Sequence, residues 1–229
     1  MDANIQTTKE INKIEINKMQ VNKKIYIVIK RIIDVIGALV GCIVLIPLTL
    51  CIWIANIIAK DNGPVFYVQK RIGKNGKVFT MYKYRSMIVD ADRKLKRHLL
   101  DNPQANEEFM EFRKLKDDPR ITPVGKFIRK TSLDEFPQFI NVLKGDMSLV
   151  GPRPYLPREK RAMRKYYKEI IKAKPGLTGP WQVNGRSEIS LKERMKMDIE
   201  YIQNVSLLND IKYLFKTVFK IFKSDEGAI

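Results

Sequence analysis

The chain has 229 residues, with 43 Lys and Arg against 25 Asp and Glu, for a formal net charge of +18. Such a balance suits nucleic acid, an anionic membrane surface or a phosphorylated substrate, but no zinc-finger spacing or RNP-like aromatic motif points to nucleic acid. Two cysteines, Cys42 and Cys51, and one histidine, His98 in the charged run RKLKRHLLD, exclude a disulfide framework and histidine-based chemistry. Any catalysis must run on carboxylates, arginines, lysines or a metal.

The first 29 residues are rich in Lys, Asn and Ile with weak periodicity, and read as a loosely ordered polar arm. Residues 30–60 carry the membrane signal. Val35 to Ala59 is uncharged for 25 residues, roughly 37 Å as a helix against a hydrocarbon core of about 30 Å. Pro47 stands at its centre, where a proline removes a helix hydrogen bond. Both flanks are basic, with Lys23, Lys24, Lys30 and Arg31 before and Lys60, Lys70, Arg71 and Lys74 after. The positive-inside rule then favours the same side for both ends, which a single pass cannot satisfy. A kinked spanning helix and a helix–break–helix hairpin both remain open. Cys42 and Cys51 fall on opposite helix faces and read as small apolar residues.

Residues 61–229 have the length of one domain. Apolar and polar residues alternate around Gly73-Lys74-Asn75-Gly76, which predicts a β-hairpin whose second strand leads into Lys83 and Arg85. Residues 90–118 predict solvated helices broken at Asn102-Pro103. Residues 158–174, basic and interspersed with Met, Tyr and Ile, predict an amphipathic helix. Val205 to Lys223 predicts another, with Leu207, Ile211, Leu214, Phe215, Val218, Phe219 and Phe222 on one face. That face suits either a bilayer interface or the core.

The densest chemistry lies in TSLDEFPQFINVLKGDMSLVGPRP, residues 131–154. Asp134 and Glu135 follow Arg129 by a few residues, and Arg153 is braced between two prolines. Ser132 to Glu135 matches a capping box, in which Glu135 would merely return to the Ser132 backbone. Pro137 fits best at a helix start, which would place both carboxylates in the turn just before it. Two carboxylates there could share a Mg²⁺ with substrate phosphates. Gly145 is a natural helix stop.

Three runs, KRIGKNGKVFTMYKYRSM, RKTSLDEFPQFINVLKGDMSLVGPRP and KPGLTGPWQVNGR, resemble in order the bacterial sugar transferase family, the monotopic polyprenyl-phosphate phosphoglycosyl transferases. The resemblance implies an α+β, mostly helical fold with a re-entrant membrane helix broken at Pro47, a small β-hairpin and interfacial helices. It implies transfer of a sugar-1-phosphate from a UDP-sugar to polyprenyl (undecaprenyl) phosphate, with Asp134 as nucleophile, an aspartyl intermediate and UMP released. Glu135, with Asp134, would hold Mg²⁺. Arg129, Arg153 and Arg186 match positions associated with substrate phosphates, and Lys83, Arg85 and Asp210 further polar substrate positions. The expected setting is the cytoplasmic face of a bacterial inner membrane, in exopolysaccharide, capsule or O-antigen synthesis. VGPRPYLPREK is most similar to relatives handling galactose or glucose, so a hexose is expected. The partners implied are the UDP-sugar, polyprenyl phosphate and membrane lipid, without nucleic acid; a homo-oligomer is left open. NVSLLND, residues 204–210, departs from the family's Asn-Trp-Ser-Leu-Trp run and lacks its two aromatic anchors. The rival reading from charge alone is a non-catalytic basic membrane adaptor.

Overall fold

A computed structural model describes residues 2–112, 115–184 and 189–222. Helix α1 covers Asp2–Ile58. The expected loose arm is therefore helical: residues 2–36 hold no Gly or Pro, and most are good or neutral helix formers. Pro47 lies inside α1, so the backbone carries no helix–break–helix interruption among the described residues. One proline removes one hydrogen bond, while packing against the same domain on both sides of it keeps the other turns in register.

That packing is one-sided. Asp34, Ala38, Leu45, Ile52 and Asn56 are buried against the rest of the molecule at helical spacing. Asp34 Oδ1 accepts Ser148 Oγ at 2.9 Å and the Leu149 amide at 2.8 Å. Arg31 donates to Val142 O at 2.7 Å and Leu143 O at 2.8 Å, binding the carbonyl end of a helix whose Val142 O also accepts the Gly145 amide at 3.0 Å. Beyond Pro47, Thr49 Oγ1 meets Tyr84 OH at 2.6 Å. The opposite face, including Ile36, Val40, Ile43, Ile46 and Trp53, is apolar and exposed, Ile46 by 73%. Lys24–Ile58 is the one helix among the described residues long and apolar enough to cross a membrane.

Strands β1 (Phe66–Ile72) and β2 (Val78–Tyr84) form the expected antiparallel hairpin. Asn75 and Gly76 take positive φ of 58° and 77°, the conformation Asn-Gly favours in tight connections. Helices α2 (Ala91–Asp101) and α3 (Pro103–Phe112) part at Asn102 as expected. Helix α4 (Pro123–Lys130) is N-capped by Thr122, whose Oγ1 accepts the Gly125 amide at 2.9 Å. Helix α5 (Gln138–Lys144) begins directly after Pro137 and stops at Gly145, φ 81°.

Two features differ from the sequence reading. Residues 158–174 form no single amphipathic helix: α6 (Lys160–Met163) and α7 (Tyr167–Ile170) are separated by a 3₁₀ turn beginning at Arg164, φ 45°. Met163 and Ile170 are drawn into a core cluster with Ile72, Tyr155 and Met195, so tertiary burial breaks what local charge pattern would have joined. Strands β3 (Ser148–Val150) and β4 (Gly176–Thr178) form a second, parallel sheet that three-residue runs did not announce.

The remaining helices are α8 (Pro180–Val183), α9 (Leu191–Gln203) and α10 (Leu207–Phe222). Leu214 of α10 packs on the core, whereas Ile211, Phe215, Val218 and Phe219 are exposed, Phe219 by 76%. Most of the predicted apolar face thus points outward. The side chain of Phe222 and Lys223 lie outside the described residues. Cys42 and Cys51 are free thiols.

Candidate active site

Alternation along the hairpin puts Arg71, Gln69, Met81 and Lys83 on one face, since Gln69 pairs with Met81 and Tyr67 with Lys83. Phe79 and Met81 on that face enter the core. Lys83 stands two residues beyond Met81, where the core ends, and its ammonium is free to serve a polar site.

The carboxylates reach it from the α4–α5 connection. Gly125 lets α4 press on the exit of β2: a Cβ there would lie 2.0 Å from Ser86 O. Ser132 turns the chain through a left-handed conformation, φ 57°, and Leu133–Glu135 make a 3₁₀ turn without side-chain capping by Ser132. The capping-box alternative is therefore not realised, and both carboxylates lie just before α5. Lys83 Nζ is 2.8 Å from Glu135 Oε1 and 3.4 Å from Asp134 Oδ2. Burial pushes the Asp134 carboxyl above its ordinary range; Lys83 opposes that rise and Glu135 adds to it. Burial alone would lower the Lys83 ammonium, but Glu135 and Asp134 outweigh it and hold it above its usual value.

Arg129, at the end of α4, donates through Nε to Ser86 Oγ at 2.9 Å and helps offset the Asp134 charge. Arg153 lies in the loop after β3. Its backbone amide donates to Asp198 Oδ2 at 3.2 Å, and its guanidinium stacks 4.6 Å from the Trp181 ring centroid. Arg71 donates to Pro154 O at 2.8 Å, fastening this loop to the hairpin. Tyr155 OH donates to Asp198 Oδ2 at 2.7 Å. Burial pushes the Asp198 carboxyl up to about 7, with the Tyr155 and Arg153 donors pulling the other way.

A cleft therefore opens beside the dyad, lined by Arg71, Lys83, Glu135, Gln138, Arg153, Trp181 and Gln182 among others. Of the residues expected from sequence, Lys83, Glu135 and Arg153 line it, Asp134 adjoins it through Lys83, and Arg129 acts on the Asp134 charge. Arg85 is not among them. It is buried elsewhere, donating to Pro64 O and Met87 O and paired with Asp61 at 2.9 Å. Asp210 is also remote in role, accepting Lys30 Nζ at 2.7 Å, Tyr201 OH at 2.6 Å and Tyr26 OH at 2.9 Å, and so tying α1, α9 and α10 together. Arg186 lies outside the described residues. Sequence reasoning passed over Arg71, Gln138, Trp181, Gln182 and Asp198. Most of these lie inside or beside the motifs already quoted, but none is distinguished by local spacing.

Among the described residues no three His, Cys, Asp or Glu side chains gather as a metal cage. Two adjacent carboxylates around one ammonium are nonetheless a donor set that fits Mg²⁺, which takes one or two carboxylates and fills its shell with phosphate oxygens and water.

The fold sets a carboxylate pair on one ammonium beside an arginine-lined cleft, in a domain that carries one long apolar helix, and comparison with known proteins gives the chain its family. The chain belongs to the bacterial sugar transferase family, which it matches over residues 25–224. It is 44% identical over 200 residues to the undecaprenyl-phosphate galactose phosphotransferase of Salmonella typhimurium, covering 86% of this chain and 41% of that protein. It is 43% identical over 189 residues to the exopolysaccharide production protein ExoY of Sinorhizobium fredii, covering 82% and 83%. The UDP-glucose:undecaprenyl-phosphate glucose-1-phosphate transferase of Escherichia coli is 39% identical over 206 residues, covering 85% of this chain and 40% of that one. The chain thus spans less than half the length of the first and third of these relatives.

Proposed function

We propose that this chain transfers a hexose-1-phosphate from a UDP-sugar to polyprenyl phosphate at a membrane surface and releases UMP. The observation that carries it is the Asp134–Glu135 pair held on Lys83 at the mouth of an arginine-lined cleft, in a domain docked along one face of an apolar helix. The names of the relatives supply the sugar class and the lipid carrier.

In the first half-reaction an Asp134 carboxylate oxygen attacks the phosphorus that bears the sugar. The bond from that phosphorus to the UMP oxygen breaks, and UMP leaves with the electron pair. In the second, an oxygen of polyprenyl phosphate attacks the same phosphorus and the aspartyl P–O bond breaks, restoring the carboxylate. Lys83 favours ionised Asp134 and, with Arg129 and Arg153, offsets charge on the phosphates. Glu135 and Asp134 would hold Mg²⁺, which supplies further positive charge against the diphosphate.

A polar domain cannot follow a helix through hydrocarbon. Docking of α1 onto that domain from Arg31 to Asn56 therefore supports immersion of its outer face in one leaflet, with both ends on the cytoplasmic side. The exposed apolar face of α10 is suited to the same interface.

With Mg²⁺ present, membranes containing the chain should release UMP from UDP-galactose or UDP-glucose over many turnovers only when polyprenyl phosphate is supplied, with no more than a stoichiometric burst in its absence, and Asp134→Asn should abolish both. Full activity of Asp134→Asn would overturn the nucleophile assignment.

A further inference from the structure

Buried hydrogen-bonding atoms in folded proteins are almost always paired, so those left over mark places where something else binds. Among the described residues, four of the buried side-chain atoms without a partner belong to the cleft beside the dyad: Arg71 Nε, Arg153 Nε, Trp181 Nε1 and Gln182 Oε1. The Gln138 side chain lines the same cleft at 2% exposure.

Each is held in place by other contacts. Arg71 spends its two terminal nitrogens on Pro154 O and Gln69 Oε1. Arg153 is stacked on Trp181. Gln182 donates Nε2 to Leu177 O at 2.9 Å, which leaves its oxygen as the unmet acceptor. Burial, then the nearby Arg153 charge, lowers the Arg71 guanidinium to about 10, as expected of two cations kept together for an anion.

The set comprises three N–H donors, two of them on cations, and one acceptor. An ionised phosphate satisfies the donors but has no hydrogen for Gln182. Uracil does, because its edge presents an N3–H beside carbonyl oxygens. Trp181 and Gln182, consecutive on α8, offer the matching donor and acceptor. The geometry points to a uridine-reading leaving-group subsite, in which Arg71 and Arg153 take the UMP phosphate while Gln182 Oε1 accepts uracil N3–H and Trp181 Nε1 donates to a uracil carbonyl. This deepens the proposed function and rests on it for the identity of the donor. CMP presents a bare N3 lone pair at that position and would set acceptor against acceptor.

The test is equilibrium binding of UMP and CMP to the full chain in nanodiscs, with EDTA present so that no metal bridges the phosphate. The wild type should favour UMP over CMP by about tenfold or more. Gln182→Met and Trp181→Phe, the latter keeping the ring under Arg153, should bring that ratio towards one. Arg71→Lys, which keeps the charge, should weaken both nucleotides by about tenfold and leave the ratio unchanged, with circular dichroism and thermal unfolding confirming that the variant used is folded. Equal binding of UMP and CMP by the wild type, an unchanged ratio in Gln182→Met, or undiminished affinity in Arg71→Lys would each overturn the subsite. Turnover of UDP-sugars is measured separately on the wild type. Turnover without base discrimination defeats only the subsite, and discrimination without turnover defeats only the transferase reading.

Discussion

Asn141 pairs with the open edge of β2 at Tyr82: its Oδ1 accepts the Tyr82 amide at 3.0 Å, and its Nδ2 returns a bond to Thr80 O at 2.7 Å. A wholly buried side chain thereby serves as a third strand. It also joins α5, which follows directly on the dyad, to the strand that carries Lys83. Replacing Asn141 with Leu leaves two part-buried backbone groups without this partner, each at the low end of about 1–3 kcal/mol. Denaturant unfolding should show a loss of about 1–2 kcal/mol. UMP release should fall in the fraction that stays folded, because the Lys83–Glu135 distance is no longer set. A variant with wild-type stability would sink this account of how the site is assembled.

Lys83 keeps Asp134 ionised against burial and Glu135. In Lys83→Met that help is gone, the Asp134 carboxyl rises further, and a protonated Asp134 is no nucleophile. Turnover should fall by about 100-fold or more, and the acid limb of the pH–rate profile should move to higher pH. An acid limb that stays put would show that Lys83 does not tune the nucleophile.

Asp198 titrates near 7 in the folded chain because it is buried, against an ordinary value of 3.8. Between those values the folded state holds a proton that the unfolded state has lost. Its contribution to stability is therefore present at low pH, falls between about pH 4 and 7, and is flat above. Asp198→Asn should remove this component, of order 1 kcal/mol per pH unit at its steepest. Unfolding free energies of the two proteins, taken across that range, should diverge in slope; parallel curves would contradict the assignment.

The two faces of α1 should respond differently. Gly41 lies under Phe139, where a Cβ would sit 2.4 Å from the ring. Gly41→Leu should cost about 1–3 kcal/mol of stability through overpacking. Ile43→Lys on the exposed face should leave the fold intact and weaken retention by vesicles. Sedimentation with liposomes separates the two effects.

Single cysteines at Asn22 and Asn62, with Cys42 and Cys51 replaced by Ala, bracket the apolar run. An impermeant thiol reagent should reach both from the cytoplasmic side. Labelling from opposite sides would establish a spanning helix and exclude the one-leaflet arrangement.

What the sequence determined by itself is what neighbouring residues decide. The uncharged run around Pro47, the Asn75-Gly76 connection, the stop at Gly145 and the placing of Asp134 and Glu135 ahead of Pro137 follow from local rules of backbone and hydropathy. The tertiary structure decided which cations serve the dyad. Lys83 and Arg85 are two residues apart on the same chain segment, yet one meets Glu135 and the other is spent on Asp61 and backbone carbonyls. Arg71, one basic residue among 43 in the sequence, joins the site only because the hairpin register and the loop at Pro154 bring it there. Likewise, hydropathy marks Lys24–Ile58 as long and apolar enough to cross a membrane but cannot show that Asp34 and Arg31 pin one face of it to the domain. Contacts between residues tens to more than a hundred positions apart are set by packing of the whole chain, and no local pattern encodes them.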